Sequence, residues 1–395
     1  MFVTIPIFKG WFRVKKTELC EEVVFQEKPC SNIEEKINWL RLIRSENLGP
    51  QTFYQLIEKY GSASIAIEAL LENSFWNNRK KPIKLSGREQ AEKEIEACQK
   101  IGAKIITSNE AAYPYLLSFI PNPPPVVTIL GNTDIFKHDS MAMVGARNAS
   151  ASGCKMAYQM SHELSEKNLV IVSGLARGID TAAHRGSLAN GTIAVVAGGV
   201  DIIYPRENEK LYSEIAEKGA VIAELPIGTT PRAENFPQRN RIISGLSLGT
   251  LVIEAAGRSG SLITARFAAE QGREVMAVPG SPFDPRSEGP NKLIKQGAAL
   301  ITCTSDVMEC LPYEIGIKLN ELPKKKSATA TPFLQKQDGL QSHSKIIEKI
   351  GTTPVEIDEI VASSGINIST VLSVLLELEM AGRLERHPGG KVSLL

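Results

Sequence analysis

The clearest signal in the chain is an alternation that sets in at Met141. Short, continuously apolar and β-branched runs occur at Met141–Gly145, Leu169–Gly174, Thr192–Gly198, Ala220–Leu225, Thr250–Ala255, Glu274–Pro279 and Ala298–Thr302. Between them lie amphipathic stretches at 151–166, 179–189, 207–218, 237–247, 261–271 and 290–296. Runs without internal polar alternation fit strands covered on both faces. Strands that alternate with helices predict a Rossmann-like, doubly wound parallel sheet.

The flanks follow other periods. Helical apolar spacing in Ile37–Ile43 stops at Leu48-Gly49-Pro50, resumes from Thr52 to Tyr60, stops at Gly61-Ser62 and closes over Ile65–Leu71. Helices joined by glycine turns predict either a helix-hairpin-helix (SAM-like) module that holds a DNA backbone on turn amides, or a plain packing domain. Residues 79–94 read as a connector or surface helix, and Pro121-Asn122-Pro123-Pro124-Pro125 is a stiff break. Residues 312–342, with Lys324-Lys325-Lys326, read as a flexible linker whose lysines are a solvated tether. Three helices at 344–350, 356–363 and 369–381, then strands at 383–386 and 391–395, predict a winged helix. The expected domains are therefore an extension at 1–35, a helical domain at 36–110, a Rossmann-like core at 111–311, the linker, and a winged helix at 343–395.

Composition narrows the function. The 395 residues carry a formal net charge of +1, which rules out a polycationic coat but permits a local basic groove. The six cysteines form no C-x-x-C pair, which argues against a zinc ribbon and for reduced thiols. No apolar run is long enough to span a bilayer, and the charges of the first 16 residues follow their apolar patch instead of preceding it. A cytoplasmic protein, with no membrane contact, is the expectation.

Ligands of an open α/β sheet bind beyond the carboxyl ends of its strands. The turns expected there are Gly145–Ser150, Ser173–Asp180, Asn235–Arg241 and Gly257–Ala265. Each carries at least one arginine, with glycine or serine in the turn itself or, for Asn235–Arg241, in the long loop that it ends. Glycine lets backbone amides approach a phosphate, and arginine adds a charge-assisted grip. A row of such turns suits a polyanion better than one nucleotide. The first turn, GARNAS, is no G-x-G-x-x-G, and no G-x-x-x-x-G-K-[ST] occurs, so neither a nicotinamide site nor ATP hydrolysis is indicated. Asp180 and His184 lie one helical turn apart and are read as capping and packing groups, since no third ligand or nucleophile accompanies them. No metal, cofactor or catalytic residue is expected. Phe236, flanked by Arg239 and Arg241, is either core or a stacking platform for a base.

The segment from about Val144 to Thr302 resembles the DNA-processing protein A (DprA/Smf) family. The most specific portion is the long stretch that begins FPQRNRIISGLSLGTLVIEAAGRSGSLITARFAAEQG, joined by SGLARGIDTAAHRGSL and GGVDIIYPRENEKLY. The resemblance implies a non-enzymatic protein that binds and protects single-stranded DNA, forms a homodimer and loads the RecA recombinase in natural transformation. Carried over by position, the DNA pocket would include Arg147, Gly174, Arg177, Phe236, Arg239, Asn240, Arg241, Ser259, Gly260 and Ser261. Ala223-Glu224-Leu225-Pro226 stands where many members have serine and an aromatic, which leaves those arginines untouched. The alternative is a nucleotide-processing enzyme of the phosphoribohydrolase type, but the P-G-G-x-G-T string of that group is missing. The winged helix is not expected to be the main DNA site. From residue 340 onward there are five Lys/Arg against seven Asp/Glu, a net of −2, and 369–381 contains no Lys or Arg.

Overall fold

The computed structural model describes residues 2–7, 10–15, 33–72, 82–311, 350 and 355–365, and parts of 371–394. The chain divides into two compact units, Met1–Glu321 and Leu322–Leu395.

The first unit opens with strands β1 (Phe2–Ile7) and β2 (Gly10–Lys15), paired antiparallel. Helices α1 (Ile33–Ile43), α2 (Pro50–Tyr60), α3 (Ala63–Glu72) and α4 (Arg88–Lys100) follow. Gly61 ends α2 in the left-handed region at φ 81°, where its N–H reaches Ile57 O at 2.8 Å. The apolar stripes converge on Leu40, Leu42, Phe53 and Leu56, all fully buried, with Trp39 edge-on to Phe53 at 4.9 Å. This cluster is continuous with Val221 and Ala223 of the sheet. Polar ties reinforce the join. Arg44 makes a fork with Glu94 (2.8 Å at its closest) and donates to Glu224 O at 3.0 Å, and Lys36 donates to Ile105 O at 2.9 Å.

The sheet has nine strands. In chain order they are β3 (Lys104–Thr107), β4 (Val126–Gly131), β5 (Ser140–Val144), β6 (Val170–Ser173), β7 (Thr192–Val195), β8 (Ala220–Ala223), β9 (Gly249–Val252), β10 (Glu274–Ala277) and β11 (Ala299–Leu300). Their spatial order is β11-β10-β9-β5-β6-β7-β8-β4-β3. The seven strands expected from the apolar runs are all present and parallel to one another. Two were not anticipated: β3 and β4 add antiparallel beyond β8. Residues 104–107, which the hydrophobic pattern left in the helical domain, therefore belong to the sheet. The covering helices are α5 (Tyr115–Ser118), α6 (Ala151–Glu166), α7 (Ile179–Ser187), α8 (Glu209–Lys218), α9 (Asn235–Gly245), α10 (Gly260–Glu270), α11 (Glu288–Lys295) and α12 (Thr304–Cys310). After β8 the chain returns to the far side of β5, so the strand order reverses between β5 and β9.

The second unit contains β12 (Val355–Glu356), α13 (Ile357–Ser364), β13 (Leu384–His387) and β14 (Lys391–Leu394), with strand order β12-β14-β13. Val371, Val374 and Leu375, spaced at helical intervals, are buried with Ile360, Leu384 and Val392. This is the expected winged helix, with a third strand added. The linker at 312–342 and the helix expected at 344–350 lie outside the described residues, Ile350 excepted.

Candidate functional site

The turn after β6 is built around one carboxylate. Asp180 Oδ2 accepts from the N–H groups of Gly174 (3.2 Å) and Ala176 (3.3 Å), which folds the chain back onto the start of α7. Leu175 is held at φ 58°, a region sparsely used by branched side chains, and its carbonyl is fixed by Asn208 Nδ2 at 2.9 Å. Gly178, at φ 77°, passes so close beneath the preceding turn that a Cβ there would lie 2.6 Å from Arg147 O. The turns after β5 and β6 are thus pressed together, and Arg147 projects over the second.

Arg239 enters from the first turns of α9. Its guanidinium lies on Gly174: a methyl group at that position would coincide with Nη1 and stand 2.6 Å from Cζ. The side chain is buried, with 7% of the residue exposed, and Nε has no partner. Burial pulls its pKa down to about 10, against the pull of the Asp180 charge, so it stays cationic at pH 7. Burial raises the Asp180 carboxyl, while Arg239 and the turn amides draw it back. Phe236, one turn earlier on α9, has the Arg147 guanidinium 5.2 Å and the Arg239 guanidinium 5.7 Å from its ring centre. Tyr204 stands edge-on to it at 5.7 Å and is half-exposed.

These groups line a cleft of about 490 Å³, walled also by Arg177, Arg206, Glu207, Pro231 and the apolar Val196, Ala197 and Ile202. Four arginines face one carboxylate, Glu207, which sits 3.8 Å from Arg177. Among the described residues Arg147 and Arg206 make no ion pair. A ring with cations at its face and phosphate-sized space beside it can hold a base and its backbone together.

Five of the ten residues expected at the site line this cleft: Arg147, Gly174, Arg177, Phe236 and Arg239. The other five do not. Arg241 is turned elsewhere: it pairs with Glu224, just past β8, and donates to Asn122 O, in the proline-rich segment before β4, at 3.1 Å. Asn240 ties α9 to α10 through Gly260 O at 3.1 Å. Ser259 caps α10 and shares a hydrogen bond with Ser261 at 2.6 Å. The reason for this division lies at the strand-order reversal. Glu254, just past β9, accepts from Ser150 N (2.8 Å) and Ser150 Oγ, so a carboxylate occupies the N-terminus of α6. The open cleft is therefore displaced to the ends of β6 and β7, away from Ser259–Ser261. Tyr204 and Arg206 were missed as individual residues, although DIIYPREN containing them was among the distinctive stretches.

His184 is a packing group. It is fully buried, Nδ1 meets Thr192 Oγ1 at 2.9 Å, and burial drops its pKa to about 3. Among the described residues no cluster of His, Cys, Asp or Glu is assembled for a metal, and no helix is long and apolar enough to cross a membrane.

Residues 104–312 match the family model described as DNA recombination-mediator protein A. The chain belongs to the DprA/Smf family. Residues 33–97 match the DprA-like N-terminal HHH domain and residues 334–390 the DprA winged helix domain. The first of these settles the helical module as an HHH domain. Protein Smf of Escherichia coli is 35% identical over 362 residues, which cover 90% of this chain and 95% of that one. DNA processing protein DprA of Bacillus subtilis is 46% identical over 221 residues, covering 55% and 74%. The X-ray structure of DprA from Streptococcus pneumoniae superposes with a TM-score of 0.60 at 33% identity, over 70% of this chain and 98% of that one.

Proposed function

We propose that this chain binds single-stranded DNA in the Phe236 cleft, protects it, and delivers it to the RecA recombinase as a non-enzymatic, cytoplasmic homodimer. The observation that carries the DNA reading is the pairing of Phe236 with two guanidiniums, one of them buried with an unpartnered N–H. A stacking face beside cations that outnumber the carboxylates suits an unpaired base and its phosphate, because bases in a duplex keep their faces covered. The family description as a recombination mediator supports delivery to a recombinase. Stacking of one base contributes about 1–3 kcal/mol, and each phosphate gripped steepens the salt dependence.

The test is fluorescence anisotropy with single strands and duplexes of equal length, over a range of salt, beside a nucleotide-turnover assay. Single strands are expected to bind tighter, with log Kd rising linearly with log salt. Tighter binding to duplex, or turnover of nucleotides abolished by Glu207→Gln, would overturn the reading.

A further inference from the structure

Beside the cleft lies a second, more open hollow of about 350 Å³ between α6 and α7. Arg177 borders the cleft and Gly178, the next residue, borders the hollow. Its floor is made of small groups, Gly178, Thr181 and Ala182, and its rim carries Lys155, Tyr158 and Arg185. The two helices can lie this close because Gly186 faces the Tyr158 carbonyl and Ser161 Oγ, where a Cβ would meet Tyr158 C at 3.1 Å. Lys155 and Tyr158 are three apart, as are Ala182 and Arg185, so each pair shares a helix face.

The rim is unusual in charge as well as shape. Lys155 and Arg185 are both exposed and, among the described residues, neither has an ion-pair partner. No carboxylate lines the hollow. The two acids further along the helix are both engaged, Glu163 by the Thr304 hydroxyl and Glu166 by His162 at 3.4 Å. His162 in turn stands alongside the ring of Tyr158, a residue that remains 48% exposed. The hollow thus repeats in dilute form the composition of the cleft: cations, one accessible aromatic face, small residues beneath.

We propose that this hollow is a second subsite for the same single strand, which runs from the Phe236 cleft across the Gly178 turn to lie between α6 and α7. Tyr158 supplies a stacking face there, and Lys155 and Arg185 hold backbone phosphates. The inference rests on the cleft's being the primary DNA site. Continuity along the chain and charge of one sign favour nucleic acid as the occupant over a protein segment.

The experiment compares two oligothymidylates, one of about 6 nucleotides, near the short end of the span of one binding fold, and one of about 20, beyond its long end. The variants are Lys155→Ala/Arg185→Ala and Tyr158→Ala, all at exposed positions. The double variant should weaken the long strand about tenfold or more and lower its log–log salt slope by about 1.4, at roughly 0.7 per phosphate. The loss should be confined to the long strand. A long strand carrying 5-iodouracil should photocross-link to Tyr158 in the unmodified protein. Unchanged long-strand affinity and slope, as a protein-binding groove would give, overturn the subsite. So does an oligonucleotide that cross-links to Phe236 or Tyr204 but at no position to Tyr158. Failure of the unmodified protein to bind either length is a different result, and it overturns the cleft itself.

Discussion

Gly174→Ala is the sharpest probe of the cleft, because it moves a ligand group without removing it. The backbone at Gly174 is outside the left-handed region, so alanine is conformationally acceptable there. Its methyl would stand 2.6 Å from Arg239 Cζ, whereas ordinary contact begins at 3.4 Å. The guanidinium must therefore withdraw by roughly 1 Å or more, and a charge-assisted hydrogen bond of about 2.8 Å then stretches beyond useful range. Loss of one such contact costs about 1.5–3 kcal/mol, which is about ten- to a hundredfold in Kd. Anisotropy with a single strand reads the affinity, and circular dichroism with thermal unfolding checks the fold. The decisive comparison is a double-mutant cycle with Arg239→Ala. If Gly174→Ala acts through the guanidinium, it should add almost nothing in the Arg239→Ala background. An unchanged Kd in well-folded Gly174→Ala, or an equal loss in both backgrounds, refutes the placement of Arg239 as a ligand group.

Three further outcomes are expected. Arg147→Ala should weaken single-strand binding about tenfold while Arg241→Ala changes it less than threefold and lowers the melting temperature, because Arg241 is committed to Glu224; the reverse ranking would relocate the site. A chain truncated after Glu321, the end of the first compact unit, should keep most of its single-strand affinity, and near-complete loss in a folded, truncated protein would shift the site to the tail. His184 has a pKa of about 3 when folded against about 6.5 when unfolded, so its contribution is fully present above pH 6.5 and fades as pH falls toward 3. Between those limits the term costs roughly 1 kcal/mol per pH unit, opposed by the raised Asp180 carboxyl, and His184→Gln should show a flatter acid limb in denaturant titrations across pH.

The sheet was legible because its central strands are buried on both faces and so read as unbroken apolar runs, VIVS and TIAV among them. β3 escaped notice because KIIT is four residues long and abuts a helix, and β4 because it follows a proline-rich break. The cleft was half legible. Glycine-arginine turns at strand ends pointed to Arg147, Gly174 and Arg177. Arg239 and Arg241 look equivalent in sequence, because they fall where the expected turn at 235–241 overlaps the expected helix at 237–247. On a helix two residues span about 200°, which sends one guanidinium to the cleft and the other to Glu224. Nor does any pattern reveal that Glu254 would close the gap between β5 and β9, since that contact joins residues 104 positions apart.

That carboxylate bears on what the protein ignores. Soluble dinucleotides offer a diphosphate to any open helix N-terminus at the reversal point of such a sheet. Here the place is taken by a tethered group, whose effective concentration a diffusing competitor struggles to match. Small metabolites are thereby denied the fold's ordinary seat, and the neighbouring turns stay available to a polymer that can engage several of them at once.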